Sequence, residues 1–191
     1  MKNLKHIITL AGIIFTVYTT SAQKKMKLAT IHSEQIVNVS PEEAWKVINS
    51  YGNVGTYHSA IASSKPINGS NVEGSLGCER QCYILNGKKE IFVDEKIIDF
   101  VNNSYYKYTA SSEQFPAKAF FNTFGVKQNE EGKTVIYVTT EYKLKPWFLT
   151  WMAKGKLRKG NEDALLFYKH YMETGEKNAD PKTIKKKYKN A

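Results

Sequence analysis

Between Gly77 and Ile98 the chain carries the groups that could do chemistry, at strand spacing: Cys78, Arg80 and Cys82, then Val93 and Glu95. Asn86-Gly87 between them reads as a two-residue hairpin turn. That turn predicts Ile84 opposite Lys89, Cys82 opposite Ile91, Arg80 opposite Val93 and Cys78 opposite Glu95. Side chains alternate along a strand, so these eight residues share one side. Glu79, Gln81, Tyr83 and Leu85, with Lys88, Glu90, Phe92 and Asp94, take the other. The first side is mostly apolar away from the turn and must face the interior. It takes Arg80 and Glu95 with it, as diagonal neighbours about 6–7 Å apart at Cβ.

An interior charge needs a partner, because desolvation costs several kcal/mol per ion. Two readings stay open at this point. Arg80 and Glu95 are a structural ion pair that holds the sheet, or they stand at the wall of a cavity where the guanidinium orients a polar group of an otherwise apolar ligand. Acid catalysis by Glu95 needs a raised pKa, and a neighbouring arginine pushes the other way. On one strand Cys78 and Cys82 stand about 13 Å apart, beyond disulfide reach, so two free thiols on the same side are expected. The histidines at 6, 32, 58 and 170 lack metal-ligand spacing, so no metal or other cofactor is expected.

The elements that position these groups follow from patterning. Lys27–Val39 reads as a strand, and Ser40-Pro41-Glu42-Glu43 as a helix start with Ser at the cap and Pro at the first helical position. That helix turns Trp45, Val47 and Ile48 inward, and a second helical turn is expected over Val54–His58. From Ile61 to Phe124 strands alternate with turns at Asn68-Gly69, Asn86-Gly87 and Asn102-Asn103-Ser104. Thr134–Leu144 is the last strand, with Val138, Thr140, Tyr142 and Leu144 on its apolar side. Beyond Trp147 the period becomes helical. Leu165, Tyr168 and Met172 share a face of a long helix that is expected to begin near Lys159 and stop near Gly175. The fold class is α+β, a curved antiparallel sheet of about six to seven strands with one face packed by a long C-terminal helix and two short helices after the first strand. Further inward-facing candidates for a lined hollow are Tyr106 and Tyr108 on one strand, and Phe120, Asn122 and Phe124 on the next. Buried hydroxyls and amides among them need partners.

The ends of the chain read differently. Lys2 and Lys5 precede an apolar run of about 13 residues, too short to span a bilayer, and Thr20-Ser21-Ala22 puts small residues after it. This predicts a leader over residues 1–22, cleaved near Ala22, and an exported protein, periplasmic or secreted. The sequence has 28 Lys plus Arg against 18 Asp plus Glu, a net charge of +10. Six lysines with one acid, Asp180, lie in the last fifteen residues, 177–191. That segment is expected to be a disordered basic tail able to make weak contact with an anionic membrane surface. Nucleic acid is not an expected partner of an exported chain.

The order of elements and several motifs resemble the SRPBCC superfamily, with its START-like helix-grip fold, and within it the polyketide cyclase/dehydrase and lipid-transport family. The matching segments are Val37-Asn38-Val39-Ser40-Pro41-Glu42-Glu43-Ala44-Trp45, Tyr51-Gly52-Asn53-Val54-Gly55-Thr56-Tyr57-His58, Gly77-Cys78-Glu79-Arg80-Gln81-Cys82 and Val93-Asp94-Glu95. Pro116, Gly132–Leu144 and the closing helix extend the resemblance over residues 28–176. Two departures stand out: Thr140, where a Trp is expected, and the insertion-like segment Lys145–Lys159. The resemblance implies a deep, mainly apolar pocket between sheet and helix, in a domain over residues 23–176. The expected ligand is a hydrophobic small molecule, lipid-like or polyketide and aromatic. The implied site takes in Arg80, Cys82, Val93, Glu95, Tyr106, Tyr108, Phe120, Asn122, Phe124, Val138, Thr140, Tyr142, Leu165, Tyr168 and Met172. The alternatives are a cyclase or dehydratase acting on a polyketide-like substrate in the same pocket, and a membrane-surface partner using Trp147, Trp151 and Lys182–Lys189.

Overall fold

Ser40 begins the helical part of the fold. Its hydroxyl accepts the backbone N–H of Glu43 while the Glu43 carboxylate reaches back to the Ser40 N–H, closing a capping box ahead of Pro41. The computed structural model describes residues 26–188 apart from 59, 87, 88, 115 and 178. The expected leader and its cleavage site lie outside the described residues.

In chain order the elements are β1 (Ala29–Ile36), α1 (Pro41–Asn49), a 3-10 turn (Tyr51–Thr56), β2 (Ile61–Ile67), β3 (Glu79–Asn86), β4 (Lys89–Val101), β5 (Tyr105–Ser111), β6 (Ala117–Gln128), β7 (Thr134–Leu144), α2 (Phe148–Met152), α3 (Lys154–Thr174) and α4 (Pro181–Tyr188). The strands form a single antiparallel sheet in the order β1-β7-β6-β5-β4-β3-β2, so the first strand closes against the last. α3 packs over β1 and β7, α1 over β6, and the 3-10 turn over β2.

Three local differences from the sequence reading have physical causes. The short second helix is a 3-10 turn over Tyr51–Thr56, earlier than expected, because Gly52 and Gly55 let the chain approach β2 closely. The Gly52 N–H donates to the Val72 carbonyl, and Ser64 Oγ links the Gly55 N–H to the Gly52 carbonyl. α3 begins at Lys154 rather than near Lys159, since Gly155 and Gly160 are exposed and need only helical dihedrals; it ends as expected on Gly175 in the left-handed conformation. The segment expected to be a disordered tail instead holds α4. Ile184 is buried with Phe167 and Ala179, and Lys185 pairs with Asp163 of α3. Tyr188 packs against the same cluster and donates to Glu173, so a few residues in a basic run dock the helix.

The β3–β4 hairpin corrects the expected pairing. Asn86 faces Lys89, Ile84 faces Ile91, Cys82 faces Val93 and Arg80 faces Glu95. Every partner has moved two residues along β4, which leaves each side chain on its expected side. Arg80 and Glu95 therefore stand directly opposite each other rather than on a diagonal.

Candidate functional site

Arg80 is 2% exposed and Glu95 8% exposed, both on the inner face of the sheet. Arg80 Nε donates to Glu95 Oε2 at 2.5 Å, and a terminal guanidinium nitrogen donates to the Tyr51 carbonyl. The guanidinium carbon lies 3.9 Å from the centre of the Tyr51 ring and 5.4 Å from that of Tyr108. Burial is the largest single influence and works against the arginine's charge, but the Glu95 carboxylate, with smaller contributions from Cys82, Tyr106 and Tyr51, more than offsets it, and the group stays protonated well above its ordinary range. Cys82 lies 3.8 Å from the same carboxylate oxygen. Burial first, then that negative charge, push its thiol up to about 12, so it supplies no thiolate. Cys78 and Cys82 are both buried and unbridged.

Around this pair the interior is aromatic. Tyr51 meets Tyr106 edge to face at 5.4 Å, Tyr108 stacks on Phe124 at 6.3 Å, and Tyr57 sits 5.0 Å from Tyr168. Trp45, Tyr51, Tyr57, Tyr106, Tyr108, Phe124, Val138, Leu165 and Tyr168 belong to one buried cluster, with Met172 packed on its edge. Burial holds the phenols of Tyr106, Tyr108 and Tyr168 above their usual range, so they act as neutral hydroxyls. The pocket expected beside Arg80 is therefore occupied by the protein's own rings. Two hollows, about 290 Å3 by Asn53 and Ser64 and about 270 Å3 by Phe92 and Gln114, lie at the surface away from it.

A second arrangement runs beside the cluster. Asn161 of α3 donates to Thr140 Oγ1 at 3.0 Å, Thr140 donates to Asn122 Oδ1 at 2.6 Å, and Asn122 donates to the Tyr108 hydroxyl at 2.8 Å. Thr140, Asn122 and Tyr108 are register neighbours across β7, β6 and β5, so the sheet itself lines them up. A tryptophan at 140 has one N–H donor and no acceptor, so it could not both accept from Asn161 and donate to Asn122 as Thr140 does. On the side of this row toward the β3–β4 turn, the inner face is only half-buried: Ile84, Ile91, Val93, Ala110 and Phe120 are all partly exposed. This half-covered apolar strip, termed the trough, has the Arg80–Glu95 pair at its inner end. Phe120 and Tyr142 belong here, in a small separate cluster with Ile31, Leu144 and Leu157.

Of the expected site residues, the structure gathers Arg80, Glu95, Cys82, Tyr106, Tyr108, Phe124, Val138, Leu165 and Tyr168 into the filled cluster. Asn122 and Thr140 form the polar row, and Val93, Phe120 and Tyr142 stand on the trough side. Sequence reasoning missed Tyr51, which covers Arg80, and Asn161, which closes the polar row. Asn161 was legible as a polar residue on the apolar face of α3; Tyr51 gave no signal beyond its place before Gly52.

No curated protein sequence matches the chain significantly. Solved structures do. Ara h 8.0201 superposes with a TM-score of 0.60 at 17% identity, over 76% of this chain and 98% of that one. The XoxI protein of Bacillus cereus gives 0.62 at 19% identity, over 75% and 95%. A protein of Thermus thermophilus gives 0.60 at 13% identity, over 75% and 97%. At such identities the likeness establishes the fold, a curved seven-stranded sheet gripping a long C-terminal helix. The sequence pattern of one family spans residues 29–165, from the first strand into the closing helix and across every element of the trough and the polar row. The chain is a member of the polyketide cyclase/dehydrase and lipid transport family, within the SRPBCC superfamily.

Proposed function

We propose that the protein binds a hydrophobic small molecule, lipid-like or polyketide and aromatic, in the trough between the β3–β4 end of the sheet and the first turns of α3. Family membership and the helix-grip fold suggest hydrophobic ligand binding of this general kind. The observation that carries the location is the half-buried apolar strip Ile84, Ile91, Val93, Ala110 and Phe120 lying against the hydrogen-bonded row Asn161–Thr140–Asn122–Tyr108. Apolar floor with a few fixed polar groups at one edge is what an amphipathic ligand needs. Arg80 contributes from behind as a buried positive charge, already neutralised by Glu95. A cyclase or dehydratase reaction is the weaker reading, because Arg80 and Tyr108 are each held by burial and their neighbours in one protonation state.

The apolar-environment dye 1-anilinonaphthalene-8-sulfonate tests the reading. Wild type should enhance its fluorescence saturably, and Phe120→Asp should abolish that while far-ultraviolet dichroism stays unchanged. Equal enhancement by both proteins would remove the trough from consideration.

The basic leader followed by a short apolar run supports export with cleavage near Ala22, which N-terminal sequencing of the extracytoplasmic form would read directly. The exposed lysines of α4 add a weak, salt-sensitive attraction to anionic surfaces.

A further inference from the structure

The segment Lys145–Lys159 is not used by the ligand reading, and its structure is unusual for a water-facing surface. Leu149 of α2 turns inward with Ala153 at the junction and Leu157 of α3 to join the cluster of Tyr142 and Phe120. The Tyr142 hydroxyl donates to the Thr150 carbonyl, and Thr150 Oγ1 accepts the Leu144 N–H, fixing α2 to the rim of the sheet. That anchoring turns the opposite side out. Trp147 and Trp151 are each 78% exposed, Met152 62% and Phe148 45%. Residues 147 and 151, and 148 and 152, are four apart, so the four side chains share one face. The flanking charges are all positive: Lys145, Lys154, Lys156, Arg158 and Lys159, with no acid between Leu144 and Asn161. None of the five forms an ion pair among the described residues, whereas the lysines at 107, 127, 169 and 185 do.

We infer that this face of α2 is a docking surface for an anionic lipid bilayer. Tryptophan favours the headgroup boundary, where its ring is buried and its N–H stays hydrated. Lysine and arginine around it meet anionic headgroups, which a second copy of this basic surface would repel. No helix among the described residues is long and apolar enough to cross a membrane, so the contact is interfacial. Because Leu149, Leu157 and Phe120 pack against the same small cluster of Ile31, Tyr142 and Leu144, docking would hold the trough against the bilayer. That consequence rests on the proposed ligand site; the docking itself does not.

The test uses the full chain and its variants on phosphatidylcholine vesicles with and without phosphatidylglycerol. The third tryptophan, Trp45, is buried with its N–H on Asn102, so a vesicle-induced blue shift reports Trp147 and Trp151. Wild type should partition more strongly onto the anionic vesicles, with the blue shift. Trp147→Ala/Trp151→Ala should lose about tenfold or more in partitioning. Lys154→Glu/Lys156→Glu should lose the preference for anionic over neutral vesicles, and Lys182→Glu/Lys186→Glu in α4 should reduce it only slightly. Partitioning unchanged in both α2 variants overturns the proposal. So does a wild-type dimer that the tryptophan variant converts to monomer, since the face would then be a protein interface. Dye binding as in wild type by the α2 variants keeps this result separate from that on the ligand site.

Discussion

The two halves of the grip are built from the same strands and finished differently. At one end, α1, the 3-10 turn and the later turns of α3 deliver Trp45, Tyr51, Tyr57 and Tyr168 onto Tyr106, Tyr108 and Phe124, and the space is filled. At the other end, the first turns of α3 lean toward β1 and β7, and Ile84, Ile91, Val93, Ala110 and Phe120 are left half-covered. Arg80 and Glu95 stand at the border. In the filled half the guanidinium is held by Glu95, by the Tyr51 carbonyl and by the rings of Tyr51 and Tyr108. Stability in this molecule should therefore depend on one half and ligand binding on the other.

The largest effect should come from breaking the border pair. Glu95→Ala leaves a buried guanidinium without its carboxylate and should cost about 3–5 kcal/mol in urea unfolding. Arg80→Met/Glu95→Leu, which removes both charges, should recover most of that loss. If the double variant is as unstable as the single one, the pair is not simply two charges neutralising each other.

A smaller effect separates the halves by pH. The His58 imidazole packs edge-on against Phe167 and Tyr168. Burial first, and then the positive charge of Arg80, lower its pKa from 6.5 to about 4. The unfolded chain thus binds this proton more readily. The stability contributed by neutral His58 is complete above pH 6.5 and is lost as pH falls from 6.5 toward 4. After discounting for the partly exposed residue, the loss is on the order of 2 kcal/mol. His58→Phe should flatten that part of the profile relative to wild type, and parallel profiles would show that the ring is not the cause.

The smallest effect is the most selective. The Tyr51 hydroxyl is buried with no hydrogen-bond partner among the described residues, while its ring and carbonyl hold Arg80. Tyr51→Phe keeps the ring and removes an unsatisfied polar group, so stability should stay within about 1 kcal/mol of wild type or rise. A clear destabilisation would mean that the hydroxyl has a partner in solution and that the filled half is wetter than its packing implies.

Much of the local structure was legible from residue pattern. The Ser40-Pro41-Glu42-Glu43 start, the turns at Asn68-Gly69 and Asn102-Asn103 and the strand Thr134–Leu144 all read directly, because caps, left-handed turn residues and period-two burial are short-range properties. Less was legible where a few residues in a basic run decide the outcome, as with Ile184 and Tyr188 docking α4, or where a helix is short and its inward side holds a single leucine, as in α2.

For the site, sequence alone determined that Arg80 and Glu95 face inward together. Side-chain direction alternates with period two, and the pairing error of two residues along β4 left that parity intact. Only the tertiary structure decided what they face. Tyr51 covers Arg80 from 29 positions away in the chain, and α3 leans to one side of the sheet, filling one half and leaving the other open. Those outcomes depend on how whole elements settle against each other, and no local periodicity encodes the space that remains between them.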